Sequence, residues 1–152
     1  MVIDTSALIA IFLGEPEADR FDEAIAKART RLLPATCLLE ARMVLVARRD
    51  ERSVNDLDLW LLKAGVDVIP VDSDLVDLAT QAWLAYGKGR HPAALNFADC
   101  LSYALAKRSG SPAARAAIAS GIPRDTQARG GTPSWPRDHA PPTSPVLPGL
   151  PT

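Results

Sequence analysis

The chain has 152 residues, a formal net charge of −1 and 47% hydrophobic residues, enough for one α/β core but without a global basic field; any contact with a polyanion must come from local patches. Cys37 and Cys100 stand singly inside helical patterns, which argues against a disulfide or Cys-ligated metal and for reduced core thiols. The opening Met1-Val2-Ile3-Asp4 sets a carboxylate where a secretion signal needs basic and then apolar residues, and no apolar run reaches membrane-spanning length, so a cytoplasmic protein without membrane attachment is expected.

Val2 and Ile3 predict a short buried strand, and Asp4-Thr5-Ser6 offers capping side chains to a helix over 7–13 that Gly14 ends. Glu15-Pro16-Glu17 restarts a helix, with Ala18, Phe21, Ile25 and Ala28 at helical spacing. Residues 31–34 read as a brief strand, and Thr36 as the cap of a helix to about Arg49. A charged turn over 50–54 leads to a short helix over 55–63 with the stop signal Ala64-Gly65. Residues 66–71 alternate as a strand should, and Asp72 or Ser73 caps a helix running through Val76, Ala79, Ala82 and Trp83 to Tyr86. The loop Gly87-Lys88-Gly89-Arg90-His91-Pro92 follows, and Asn96 opens a helix through Leu101 and Leu105 to Arg108. Met43 and Trp60 read as core. Strands alternating with helices predict a short parallel sheet in a three-layer α/β/α domain over residues 1–110. Nine of the thirteen prolines fall between Pro112 and Pro151, where no strand or helix period can be followed, so 111–152 reads as a disordered tail.

Three acids carry the chemistry. Asp4 sits where the first strand hands over to a helix, at the sheet edge where open α/β folds bind ligands; its plain alternative is an N-cap, a duty Thr5 or Ser6 could fill. Glu40 is one residue out of register for a capping box with Thr36, and it stands among Leu38, Leu39, Ala41 and Met43 with no ion pair at helical spacing. Asp99 three residues after Asn96 resembles a capping pair. Together, three acids from three segments form the pattern of a site for a hard divalent cation, and that cation points to phosphodiester chemistry.

Lys88 and Arg90 between glycines fit either a solvated turn or a phosphate contact beside the Asp99 helix. The Gly-Lys pair is no Walker loop, since it follows a helix and lacks the glycine spacing and the Ser or Thr. His91 before Pro92 suits a structural or substrate-contacting place better than a metal ligand, and His139 has no assignment.

The opening Met1-Val2-Ile3-Asp4-Thr5-Ser6-Ala7-Leu8, then Glu15-Pro16-Glu17, Leu39-Glu40-Ala41, and the long run from Gly87 to Cys100 resemble PIN-domain ribonucleases of the VapC toxin type, over residues 1 to about 110. The resemblance implies that Asp4, Glu40 and Asp99 coordinate Mg²⁺ or Mn²⁺ and catalyse endonucleolytic RNA cleavage by metal-activated water. It implies that Ser6, Lys88, Arg90, His91 and Asn96 contact RNA or position metal waters. It also implies a type II toxin-antitoxin module, with a cognate antitoxin whose peptide covers the acidic site, and a homodimer. The competing reading is a degenerate PIN domain that binds an antitoxin without cutting RNA.

The chain departs from that family after Gly110. A buried strand and then Gly-Asn/Asp-x-Phe and Thr-Asp are expected there, whereas Ser111-Pro112-Ala113-Ala114-Arg115 begins something else. Neither Asp125 nor Asp138 follows a strand, so neither is carried into the site. If Ala116 to Pro123 is encoded GCG GCA ATC GCT TCC GGG ATA CCG, reading from the last base of the first codon gives Gly-Asn-Arg-Phe-Arg-Asp-Thr. A frameshifted ending is therefore expected, and with it a terminal strand missing from beside Val2 and Ile3, whose exposed edge would cost stability.

Overall fold

The computed structural model describes residues 1–110; the tail read as disordered, and the edge beside Val2 as far as that tail bears on it, lie outside the described residues. Ala7, Leu8, Ile9 and Ala10 are all buried in helix α1 (Thr5–Leu13), and Gly14 stops it at φ 68°, a left-handed backbone that glycine adopts without steric cost. The remaining order is α2 (Ala18–Lys27), β1 (Leu32–Pro34), α3 (Ala35–Arg48), α4 (Arg52–Ala64), β2 (Asp67–Ile69), α5 (Ser73–Tyr86) and α6 (Phe97–Ser109).

β1 pairs in parallel with β2, Leu33 opposite Val68, and Val2 forms a parallel bridge to Leu32. Two bonds of 2.7 Å make that bridge, from the Ile3 N–H to the Leu32 carbonyl and from the Leu32 N–H to the Met1 carbonyl. Because side chains alternate across a strand, the sheet divides two cores. Ile3 and Leu33 meet Leu8, Ile25, Leu45 and Leu57 on one face. Val2 and Leu32 meet Leu75, Leu101 and Leu105 on the other. Helices cover both faces of a short parallel sheet, as the alternation of elements predicts. An Arg108 guanidinium nitrogen 2.7 Å from both carboxylate oxygens of Asp72 ties the end of α6 to the start of α5, and holds the Asp72 carboxyl below the usual aspartate range.

Several local expectations are corrected. Thr36 does not cap α3; the helix starts at Ala35 after Pro34 with no side-chain cap, and the Thr36 hydroxyl is buried without a partner. Helix α4 begins at Arg52, earlier than the periodicity suggests, because the Asp50 carboxylate accepts from the Arg52 and Ser53 N–H groups. Strand β2 is shorter than 66–71, ending at Ile69 before Pro70. Met43 is not core but 64% exposed, in line with Leu39 and Val46 on the outer face of α3; Leu59 and Leu62 of α4 are exposed as well. Trp60 does pack inward, edge-on to Phe12 with ring centroids 6.0 Å apart. Cys37 and Cys100 are free and buried, as expected.

The orphaned hydroxyl has a measurable consequence. Thr36→Val keeps the shape while removing a buried polar group without a hydrogen bond, a cost of about 1–3 kcal/mol. Thermal denaturation followed by circular dichroism is expected to show Tm raised by several degrees; an unchanged or lowered Tm would mean that the hydroxyl finds a partner.

Candidate active site

Asp4 does cap α1. Its backbone is extended, and its Oδ1 accepts from the Ala7 N–H and from the Ser6 hydroxyl, each at 2.9 Å. The residue is only 5% exposed, yet no Lys, Arg or His among the described residues pairs with it. Burial therefore raises its carboxyl above the ordinary aspartate range against the pull of the Ala7 and Ser6 bonds, and the charge of Asp99 raises it further. Asp4 and Asp99 thus share one electrostatic neighbourhood.

Asp99 completes a capping box at the start of α6. Asn96 Oδ1 accepts from the Asp99 N–H at 2.9 Å, and Asp99 Oδ2 accepts from the Asn96 N–H at 2.8 Å. The same carboxylate, together with burial, pushes the neighbouring Cys100 thiol up to about 11, burial being the larger cause. Glu40, from the second turn of α3, is half-buried, and its Oε2 accepts from the Thr5 hydroxyl at 2.6 Å. Two of the three acids thus meet at the first turn of α1, Asp4 by position and Glu40 through Thr5, while Asp99 bears on Asp4 through its charge alone.

Each acid commits one oxygen to structure. Asp4 Oδ2, Glu40 Oε1 and Asp99 Oδ1 take no side-chain hydrogen bond from any described residue. As the side chains stand, no three His, Cys, Asp or Glu groups among the described residues are gathered into a metal cage. Each carboxylate accepts from a donor near it instead. The donor chemistry nevertheless suits a hard cation: three carboxylates, each with an oxygen that takes no side-chain hydrogen bond, and no ion pair to any of them among the described residues.

The basic loop is held by its ends. Gly87 and Leu95 form a parallel bridge, with the Lys88 N–H 3.0 Å from the Leu95 carbonyl and the Leu95 N–H 2.9 Å from the Tyr86 carbonyl. A Cβ at Gly87 would lie 2.4 Å from the Trp83 carbonyl oxygen and 2.5 Å from its ring, so only glycine lets the loop leave α5 this closely. Lys88 and Arg90 are exposed, and the Arg90 guanidinium lies 4.2 Å from the centre of the Trp83 ring. His91 is a tie within the loop: its Nδ1 accepts from the Ala93 N–H at 3.0 Å and its ring stands edge-on to Tyr86. Ser6 is exposed and steers Asp4, while Asn96 caps α6. Sequence reasoning missed Thr5 as the holder of Glu40, and it missed the Trp83 ring beneath Arg90.

A sequence profile of the PIN domain matches residues 1–117, and the chain therefore belongs to the PIN-domain family. Within it the chain is 49% identical over 112 residues to ribonuclease VapC30 of Mycobacterium tuberculosis, an overlap covering 74% of this chain and 86% of that protein. It is 48% identical over 112 residues to a VapC ribonuclease of Mycolicibacterium smegmatis, covering 74% and 87%. The VapC ribonucleases are thus its branch of the family. The fold is similar to the crystal structure of Mycobacterium tuberculosis VapC20, described as a sarcin-ricin loop cleaving toxin, with a TM-score of 0.58 and 22% identity over 72% of this chain and 82% of that one.

Proposed function

We propose that the chain is a divalent-metal-dependent endoribonuclease, the toxin of a type II toxin-antitoxin module, with Asp4, Glu40 and Asp99 as its metal ligands. The observation that carries this reading is Asp4, buried and electrostatically opposed by Asp99 with no ion-pair partner among the described residues. Such a pair is costly to ionise alone and becomes favourable beside a cation. A bound Mg²⁺ or Mn²⁺ supplies a water of lowered pKa and offsets charge on the phosphoryl oxygens.

The chain's own residues do the rest. Ser6 and the α1 N-terminus fix one Asp4 oxygen, Thr5 fixes one oxygen of Glu40, and the capping box fixes one of Asp99. Lys88 and Arg90 supply backbone charge contacts for the RNA, with Asn96 beside them. The names of the relatives support an RNA substrate and an antitoxin. The apolar side chains exposed on α3 and α4 support protein partners, the antitoxin and a second copy of the chain. No helix among the described residues is long and apolar enough to cross a membrane.

The test uses the purified full chain with a mixed-sequence RNA. Cleavage is expected on adding Mg²⁺ or Mn²⁺, to stop with chelator, and to be lost in Asp99→Asn, whose cap the amide preserves. Chelator-resistant cleavage would remove the metal from the scheme. The altered sequence after Gly110 favours one rival, a silent domain that binds antitoxin only; antitoxin binding with no cleavage under any metal would establish it.

A further inference from the structure

Helices α5 and α6 and the loop between them enclose an open, mostly apolar groove of about 510 Å³. Val76, Trp83, Phe97 and Leu101 line it, together with Lys88 and Asn96. Phe97 is 74% exposed and Trp83 42%. Phe97 has no structural duty where it stands: Asn96 and Asp99 already cap α6, and Ala98, Cys100 and Leu101 provide its buried contacts. Phe97, Trp83 and Val76, all exposed along one groove, form a continuous apolar surface of the kind a ligand or partner covers.

The charges nearby indicate what. Lys88 and Arg90 have no acidic partner among the described residues, and Arg90 is already laid flat on Trp83. Phe97 shares the first turn of α6 with Asp99, so one end of the groove lies on the helix turn that carries that acid. Exposed aromatic rings, an apolar slot and unpaired cations are the requirements of single-stranded nucleic acid, whose bases stack while its backbone seeks positive charge. An apolar protein surface would fill the slot but leave the two cations without a counter-charge.

We infer that this groove receives an unstacked base of the RNA next to the cleaved phosphate, with Phe97 as the stacking platform and Lys88 and Arg90 on the adjoining backbone. Phe97 is then a base-positioning residue and a source of sequence preference. The inference rests on the nuclease reading above and deepens it.

The test is RNA binding rather than cleavage, so that the two can fail separately. A fluorescently labelled single-stranded RNA is titrated with full-length Asp4→Asn protein over a series of salt concentrations, followed by anisotropy. Adding Phe97→Ala is expected to weaken binding about tenfold, within the range for loss of one base stack, without changing the salt slope. Phe97→Trp should restore it. Adding Lys88→Ala instead should flatten the salt slope by about one phosphate contact. An oligomer of the same length with abasic positions should be insensitive to Phe97→Ala. Unchanged RNA affinity in Phe97→Ala would overturn the inference alone, and so would a dimer that falls to monomer in that variant with RNA affinity intact, since the groove would then seat a second copy. No RNA binding by the unmodified groove would overturn both the inference and the nuclease reading.

Discussion

Asp4→Asn is expected to reduce RNA cleavage at least about 100-fold, beyond the loss typical of a residue that merely supports a metal ligand, while leaving the protein as stable as before or more so. The stability half follows from the direction of the Asp4 shift. Its folded-state pKa is raised, so the stability that this group contributes is complete below the ordinary aspartate range and is lost as pH rises through the folded value. At neutral pH and without divalent metal, the native chain therefore carries a burden that the amide lacks. Asn is as good an N-cap as Asp, so the bond from the Ala7 N–H survives the exchange. Thermal melts in chelator should show the Tm gap in favour of Asn widening from about pH 4, the ordinary aspartate range, toward pH 7. A variant less stable across that whole range, or one that cleaves at the native rate, contradicts the assignment.

Gly87→Ala is expected to produce the largest loss of stability from a single methyl group. The added carbon meets the Trp83 carbonyl at 2.4 Å and the Trp83 ring at 2.5 Å, and the carbonyl is backbone that cannot swing aside. Overpacking of this kind costs about 1–3 kcal/mol. In a domain near 100 residues each kcal/mol lowers Tm by about 4–8 °C. Trp83 must shift to relieve the contact, and Arg90 loses its ring, so RNA affinity should fall along with Tm. A variant that melts with the native protein would show that the loop has room to move.

The sequence made the short-range parts of this molecule legible. Asp4 and Asn96 cap the helices they precede, Gly14 and Gly65 end theirs, and Asp72 starts α5, because each signal acts within a turn of its own backbone. The parallel sheet was legible from alternation of elements. What was hidden depends on distant partners. Thr5 and Glu40 are 35 residues apart, and no local pattern joins them. Thr36 has a capping side chain, but the chain turns into α3 directly from β1 and buries the hydroxyl instead. Met43 reads as core because periodicity reports that a helix has an apolar side, not whether anything covers it; it is exposed, as is Leu39 one turn before it. For Asp4 and Asp99, capping and metal binding look like rivals in sequence, whereas a carboxylate has two oxygens and the structure gives only one of them to the cap.

That double duty bears on how such a protein can change over generations. Asp4 and Asp99 each hold a helix end with one oxygen, and asparagine holds a helix end equally well. An Asp codon becomes an Asn codon by a single base substitution. If Asp4 and Asp99 hold the metal as proposed, the nuclease lies one point mutation from a harmless copy that keeps its shape. Such a copy would soak up inhibitor without damaging its host, so a duplicated locus has a short route from poison to decoy.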